Sequence, residues 1–99
     1  MAVELIVLYE WKPSVSEERI RYHLGEIGKM KERVPGLLEV KFGPRCYGPE
    51  QWSHGARLTC ASPAALDEYS RHPEHDRIAS LIMPDLETIH YCGFEAVES

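Results

Sequence analysis

The sequence has few cysteines, no long hydrophobic run and no excess of basic residues, and each shortage excludes a class of protein. The longest apolar run spans residues 5–9, far shorter than the roughly 20 residues of a membrane-spanning helix. No basic segment leads into an apolar stretch and a small-residue cleavage site, so we expect no secretion signal and a cytoplasmic location. The net charge of -5, with lysines and arginines scattered among carboxylates, argues against a nucleic-acid partner.

The three cysteines, Cys46, Cys60 and Cys92, are odd in number and lack C-x-x-C spacing. This pattern fits neither a disulfide framework nor a cysteine zinc site. We therefore expect reduced and mostly buried thiols. Catalysis by a cysteine nucleophile is disfavoured, because none of the three has an adjacent base in the sequence.

What is present is the composition of one ordinary globular domain. The chain has 99 residues, of which 43% are hydrophobic and 27% are charged. This length suffices for one hydrophobic core and leaves no room for a second. We predict a single domain over residues 1–99.

The first predicted strand spans residues 3–11 and is apolar on both faces. A helix follows, with a capping box formed by Ser14 and Glu17 and an end at Pro35-Gly36. Its apolar positions recur at spacings of three and four residues: Ile20, Leu24, Ile27, Met30 and Val34.

The second half of the chain predicts a hairpin of strands at residues 37–42 and 54–61, then two short helices and a last strand at residues 87–96. Ser62-Pro63 is typical of a helix start, and Leu66 and Tyr69 fall on one face of that helix. His72-Pro73 should end it. The next helix covers about residues 74–83, before Pro84.

The order strand, helix, strand, strand, helix, strand predicts a ferredoxin-like βαββαβ sandwich of the α+β class. Its helices cover one face of the sheet. Because the first strand is apolar on both faces, the face left uncovered would expose a large apolar patch to water. We therefore predict a sheet-to-sheet homodimer forming a dimeric α/β barrel. Trp11 is assigned to interface packing, while Tyr9, Tyr47 and Trp52 are ambiguous among dimer core, pocket wall and loop packing.

The stretch "YSRHPEH" at residues 69–75 is the candidate site. Tyr69 lies three residues after Leu66, and His75 lies three before Ile78, so both are predicted to face the interior. A neutral histidine is a suitable base for enolate chemistry, and a tyrosine hydroxyl can donate to the developing oxyanion. The same residues would also suit a core histidine bonded to backbone and a packed tyrosine ring.

Several stretches together resemble the stress-responsive A/B barrel (Dabb) family of the dimeric α/β barrel superfamily. They are "LIVLYEWK", "VPGLLEVKFGP", "SHGARLTC", "ALDEY" and "HPEH" followed by "MPDLE", and they cover residues 3–94. The resemblance implies a barrel-like dimer of ferredoxin-like protomers.

Some members of this family are similar to olivetolic acid cyclase, which closes a polyketide by an aldol condensation in a pocket of each protomer. This resemblance implies catalytic roles for Tyr69 and His75, and it places His54 and His72 at family histidine positions. Tyr9 and Glu4 are further candidates for substrate binding. The family often has a histidine where this chain has Glu4-Leu5, and an acidic residue where it has Gly93.

Three alternatives remain open at this level. A non-catalytic stress-response dimer with a structural or ligand-carrier role would have the same fold. A metal site of His72 and His75 with His54 or His90 is disfavoured, since the proline between the first two need not let them converge. A monooxygenase is weaker, because no flavin or haem motif is present. We expect no cofactor and no metal, and a small hydrophobic molecule as partner.

Overall fold

The computed structural model describes residues 1–97. The chain forms four strands and three helices, in the order β1 (Val3–Trp11), α1 (Glu17–Lys29), β2 (Leu37–Pro44), β3 (His54–Cys60), α2 (Pro63–Arg71), α3 (Pro73–Ile82) and β4 (Leu86–Glu95). Short 3₁₀ helices extend α1 over Met30–Glu32 and α3 over Met83–Asp85.

The four strands form one antiparallel sheet in the order β2-β3-β1-β4. Both split connections of the predicted fold are present, since β3 lies between β1 and β2 and β1 lies between β3 and β4. The prediction of a ferredoxin-like α+β sandwich is confirmed, including the division of the second helical segment at Pro73. Among residues 1–97, no helix is long and apolar enough to cross a membrane.

The central strand β1 has a strict alternation of environment. Its odd-numbered residues are buried and its even-numbered residues are half-buried. The buried set packs against the helices: Val3, Leu5, Val7, Tyr9 and Trp11. Each such side chain contributes about 1.5 to 3 kcal/mol when it leaves water, so this strand supplies much of the driving force for folding.

Trp11 belongs to this helix-covered core, so its assignment to the outer sheet interface was wrong. Its ring stacks between Tyr9, at a centroid distance of 5.3 Å, and His23 of α1, at 5.4 Å. The reason is the pleat of the strand, which puts every odd-numbered residue of β1 on the helix side.

Helix α1 begins two residues later than the capping box predicted. The Oγ atom of Ser16, not Ser14, accepts from the backbone N–H of Arg19 at 3.1 Å. Ser14 instead lies in a turn closed by the bond from Val15 N to Lys12 O. All five apolar positions predicted to face inward are buried. The predicted end of the helix at Pro35 was wrong, since α1 ends at Lys29, Met30 begins the 3₁₀ helix and Val34 lies after it.

The start of α2 and the corner between α2 and α3 follow the sequence signals. Ser62 caps α2 by accepting from Ala65 N at 3.1 Å, and Pro63 occupies the first turn. His72 ends α2 and also caps α3, since its Nδ1 accepts from Glu74 N at 3.0 Å. One residue therefore closes one helix and opens the next.

Ion pairs between charged side chains connect α1 with α3 and with the segment before β4. Asp85, just before β4, accepts from Arg19 and pairs at 2.7 Å with Nε2 of His23, which is fully buried. Nearer the C-terminal end of α1, Arg77 of α3 bonds to Glu26 at 3.2 Å and to Glu74. These pairs fix the position of α1 relative to α3 and to the beginning of β4.

The expectation of mostly buried thiols was wrong for two of the three cysteines. Cys60 is buried, whereas Cys46 and Cys92 are exposed, and all three are free. Cys46 follows the end of β2 in the connecting loop. Cys92 pairs in register with Ile6, so it lies on the face of the sheet that the helices leave uncovered.

Two glycines should respond in opposite directions to replacement by alanine. Gly36 has φ +84°, and a Cβ there would approach the Cβ of Ala65 to 2.8 Å, whereas a Cβ at Gly25 in α1 meets no atom within 4 Å. We expect Gly36→Ala to lower the free energy of unfolding by about 2 kcal/mol. Gly25→Ala should raise it by about 0.5 to 1 kcal/mol.

Urea denaturation of both variants at one protein concentration is the measurement. Gly25→Ala serves as the matched control, because it makes the same chemical change in open space. A neutral effect of Gly36→Ala would contradict the packing described for Gly36 and Ala65.

Asp85 should contribute to stability in a pH-dependent way. Hydrogen bonds, first from His23 and then from Arg19, hold the pKa of its carboxyl below the ordinary value. Because the pKa is lower in the folded state, the stabilisation is present above about pH 4 and is lost as the pH falls through the folded value. Asp85→Asn should therefore lower the melting temperature at pH 7 more than at pH 3.

Thermal unfolding at several pH values between 3 and 7 tests this expectation. Asp67→Asn is the control, since Asp67 forms an exposed pair with Arg71 on α2 and such pairs contribute little. A difference between wild type and Asp85→Asn that is constant across the pH range would contradict the assigned pairing.

Candidate functional site

A cavity of about 670 Å³ lies between the sheet and the helices. Its floor is formed by odd-numbered residues of β1 and by β4, and its walls come from α1, α2 and α3. The lining is mostly apolar, with three tyrosines, one serine and one histidine as its polar members: Leu5, Val7, Tyr9, Ile27, Met30, Leu66, Tyr69, Ser70, His75, Ile78, Ala79, Ile82, Met83, Ile89, Tyr91 and Gly93.

Tyr69 and His75 meet at this cavity. Their ring centroids are 4.9 Å apart, with the rings edge to face at 73°. Tyr69 is on the last turns of α2 and His75 is on the first turn of α3, so the corner at Pro73 brings the two side chains together. Nδ1 of His75 is buried and has no hydrogen-bond partner among residues 1–97.

Tyr9 adds a second phenol to the same cavity. Tyr9 is 3% exposed and Tyr69 is 7% exposed. Burial raises the pKa of Tyr69 to about 12, and burial, with the nearby Tyr69 as a further cause, raises the pKa of Tyr9 above its ordinary value. Both phenols therefore stay neutral at physiological pH, as hydrogen-bond donors.

Neither phenol hydroxyl is hydrogen-bonded to protein within residues 1–97. Neither hydroxyl oxygen is among the fully buried atoms without a partner in these residues, so both are accessible from the cavity. Ser70 differs, since it donates to the backbone oxygen of Asp67 at 2.7 Å, and Tyr91 is 72% exposed. The cavity thus presents the phenols of two buried tyrosines and one histidine to its interior.

The predicted residues His72 and His54 do not line this cavity. His72 caps the junction between α2 and α3. His54 begins β3 and pairs in register with the cavity residue Tyr9, and its Nδ1 is 2.9 Å from Ser53 Oγ. Burial lowers the pKa of His54, and Glu17 at the start of α1 opposes that effect. Substrate roles for these two histidines stay predictions without support from the cavity lining.

Glu4 faces the opposite side of the sheet. It pairs in register with Thr59 and Phe94, and its carboxylate accepts from the Thr59 hydroxyl at 2.8 Å. The neighbouring residue on the cavity side is Leu5. A side chain at position 4 therefore cannot take the place of a cavity-facing histidine, because a shift of one residue reverses the face.

Leu5 and Gly93 make one end of the cavity apolar. They pair in register across β1 and β4. Gly93 has no side chain, and a Cβ there would approach Leu66 to 3.1 Å. This end of the cavity, formed by Leu5, Leu66 and Gly93, therefore carries no polar side chain.

Sequence reasoning missed Tyr91 at the cavity and the buried His23. The signal for Tyr91 was its alternation with Ile89 and Gly93, which puts all three on the face of Val7 and Tyr9. The signal for His23 was its position three residues after Ile20 on the inward face of α1. Its partner Asp85 is 62 residues away, and no local pattern connects the two.

A second hollow, of about 520 Å³, lies under the loop between β2 and β3. Its lining includes Ile6 and Leu8 from the uncovered side of β1, with Lys41, Arg57 and Trp52. On the same side the rings of Trp52 and His90 are in contact, with centroids 4.7 Å apart. Tyr47, also in this loop, is 94% exposed.

The histidines proposed as an alternative metal site are dispersed. His72 caps a helix, His54 lies beside Ser53, and His90 contacts Trp52 on the other face of the sheet. Among residues 1–97, no group of three His, Cys, Asp or Glu side chains is arranged to hold a metal ion.

Solved structures of other proteins share this fold over nearly their whole length. A protein of Arabidopsis thaliana is 19% identical with a TM-score of 0.91, over 98% of this chain and 97% of the other. Hydroxynitrile lyase from Passiflora edulis is 22% identical with a TM-score of 0.89, over 99% and 95%. A dimeric ferredoxin-like protein from Thermobifida fusca is 18% identical with a TM-score of 0.84, over 97% and 92%.

No curated protein sequence matches this chain significantly. A family model does match, over residues 3–95, and it describes the Stress responsive A/B Barrel Domain. The matched segment runs from the first residue of β1 to the last residue of β4, so the agreement covers every element of the fold. The chain therefore belongs to the stress-responsive A/B barrel (Dabb) family.

Proposed function

We propose that this protein is a homodimer whose cavity binds a small apolar carbonyl compound and catalyses cofactor-independent acid/base chemistry on it. The reaction class is a polyketide cyclase-like aldol condensation, an isomerisation or a lyase reaction. His75 is the base and Tyr69 is the donor to the carbonyl oxygen. The observation that carries this proposal is the contact between these two side chains at one apolar cavity.

The chemistry requires a proton acceptor and an oxyanion donor on the same ligand. His75 takes the proton from the carbon next to the carbonyl, and the electron pair of the broken C–H bond moves into an enolate. Tyr69 donates its hydroxyl to the enolate oxygen. Because burial raises the Tyr69 pKa to about 12, the phenol keeps its proton and stabilises the charge that develops in the transition state.

Two further observations support an enzyme. The cavity of about 670 Å³ falls within the size range of small-molecule sites, roughly 300 to 1,000 Å³, and has the apolar lining with few polar groups that such sites share. A protein of the same fold, from Passiflora edulis, is a hydroxynitrile lyase. Because the two chains are 22% identical, their similarity concerns the fold. It supports a lyase reaction as one of the reaction classes proposed here.

The test is turnover of a panel of aldol, retro-aldol and hydroxynitrile substrates by wild type and variants. His75→Ala should lower kcat/KM about 10²- to 10⁴-fold by loss of the base. Tyr69→Phe should lower it about 10²- to 10³-fold by loss of the oxyanion donor. His90→Ala is the control, because His90 lies on the other face of the sheet beside Trp52.

Activity that survives intact in His75→Ala would remove the assigned base. Ligand binding without turnover of any panel member would favour the second candidate, a non-catalytic stress-response dimer with a structural or carrier role. The observation in favour of a carrier is the cavity itself, which serves binding without chemistry equally well.

The proposed dimer forms through the face of the sheet that the helices leave uncovered. This face presents Ile6, Leu8 and Phe94, the last of which is exposed. A second copy would remove these apolar side chains from water. Dimeric proteins with a ferredoxin-like fold are among the solved structures that resemble this chain.

We propose a cytoplasmic location on the sequence alone.

Leu8→Glu should convert the dimer to a monomer, because a carboxylate would have to be buried without a partner at the centre of the interface. The sedimentation coefficient in analytical ultracentrifugation is the measurement. Tyr22→Glu is the matched control, since Tyr22 is an exposed apolar side chain on the helical side. A wild-type chain that sediments as a monomer at micromolar concentration would contradict this part of the proposal.

A further inference from the structure

The cavity is lined by a further polar side chain, Tyr9, in addition to Tyr69 and His75. The hydroxyl of Tyr9 opens into the same space, and Tyr9 is nearly completely buried. Like Tyr69, it donates to no protein acceptor among the described residues 1–97. Its hydroxyl oxygen is not among the fully buried atoms without a partner in these residues. The hydroxyl therefore reaches the cavity space, where a ligand can supply the acceptor.

The charge of the lining also restricts the ligand. Within the described part of the chain, none of the cavity-lining residues is Asp, Glu, Lys or Arg. Beside the lining, the Asp76 carboxylate has its Oδ1 3.8 Å from Nδ1 of His75. The charges between α1 and α3 are engaged internally, since Glu26 pairs with Lys29 and with Arg77. Burying a carboxylate or phosphate here would leave it without a fixed countercharge.

We propose that Tyr9 is a second ligand donor and that the cavity selects an electrically neutral carbonyl compound, whose oxygen is held by the phenols of Tyr9 and Tyr69. This inference rests on the proposed function, because it assigns the ligand class of the same cavity. The ketone oxygen accepts from both hydroxyls while His75 lies beside Tyr69. The apolar part of the ligand contacts the end formed by Leu5, Leu66 and Gly93.

Phenols donate to a carboxylate as well as to a carbonyl oxygen, so the selection against an acid rests on the missing countercharge. The Asp76 carboxylate beside His75 adds to it, because a second negative charge would be brought close to the first. His75 is the one lining side chain within residues 1–97 that can become positively charged, and in the proposed reaction it acts as a neutral base. The selection for a neutral ligand should therefore be strongest where His75 is neutral.

The experiment compares two probes of nearly equal shape, 4-phenyl-2-butanone and 3-phenylpropanoate, by isothermal titration calorimetry at pH 8. The ketone should bind wild type at least about 10-fold more tightly than the carboxylate. Tyr9→Phe should weaken ketone binding about 3- to 10-fold by loss of one hydrogen bond. Tyr47→Phe is the control, because it removes the same hydroxyl from an exposed loop residue and should leave ketone affinity unchanged.

Equal binding of the two probes, no binding of either, or an unchanged ketone affinity in Tyr9→Phe would overturn this inference. If Tyr9→Phe does not fold, the comparison of the two probes on wild type still decides it. The outcome is separable from that of the proposed function. Loss of turnover in His75→Ala tests the catalytic base, whereas the ratio of ketone to carboxylate affinity tests the choice of ligand.

Discussion

The structure depends on the two-residue period of the central strand. β1 lies between β3 and β4 in the sheet, and its odd-numbered side chains face the helices while its even-numbered ones face away. The odd set forms both the hydrophobic core and the floor of the cavity. The even set leaves apolar side chains on the uncovered face. One strand thereby determines the position of the site and the surface through which a second copy would bind.

The cavity exists because three helices cover one face of the sheet incompletely. The corner at Pro73 separates α2 from α3, and side chains from both enclose space above β1 and β4. Protein interiors are ordinarily close-packed, and unfilled volume lowers stability. Such space is unfavourable for folding alone and favourable for binding a ligand. Together with the phenols of Tyr9 and Tyr69 that line it, the space is the physical basis of the proposed function.

Local sequence patterns predicted the order of the helices and strands correctly. They failed for features that depend on contacts between residues, such as the cap of α1 and the face on which Trp11 lies. The inward face of α1 and the Ser62 cap follow from spacing and turn chemistry, and both are confirmed. The cap of α1 was placed on Ser14, because Ser14 and Glu17 have the S-x-x-E spacing of a capping box. Ser16 lacks this spacing but caps the helix, because the chain still forms the turn from Lys12 to Val15 before it. Trp11 was assigned to the wrong face, since a strand that is apolar on both sides does not indicate which side the helices cover.

The sequence by itself determined the order of elements, the one-sided helical layer and the convergence of Tyr69 and His75, because strand period, helix period and the His72-Pro73 corner are local properties. The tertiary structure decided the rest. It placed Tyr9 and Tyr91 in the cavity and Glu4 outside it, and it joined His23 to Asp85 across 62 residues. These relations depend on strand register and helix packing, which bring distant residues together and which no local pattern records.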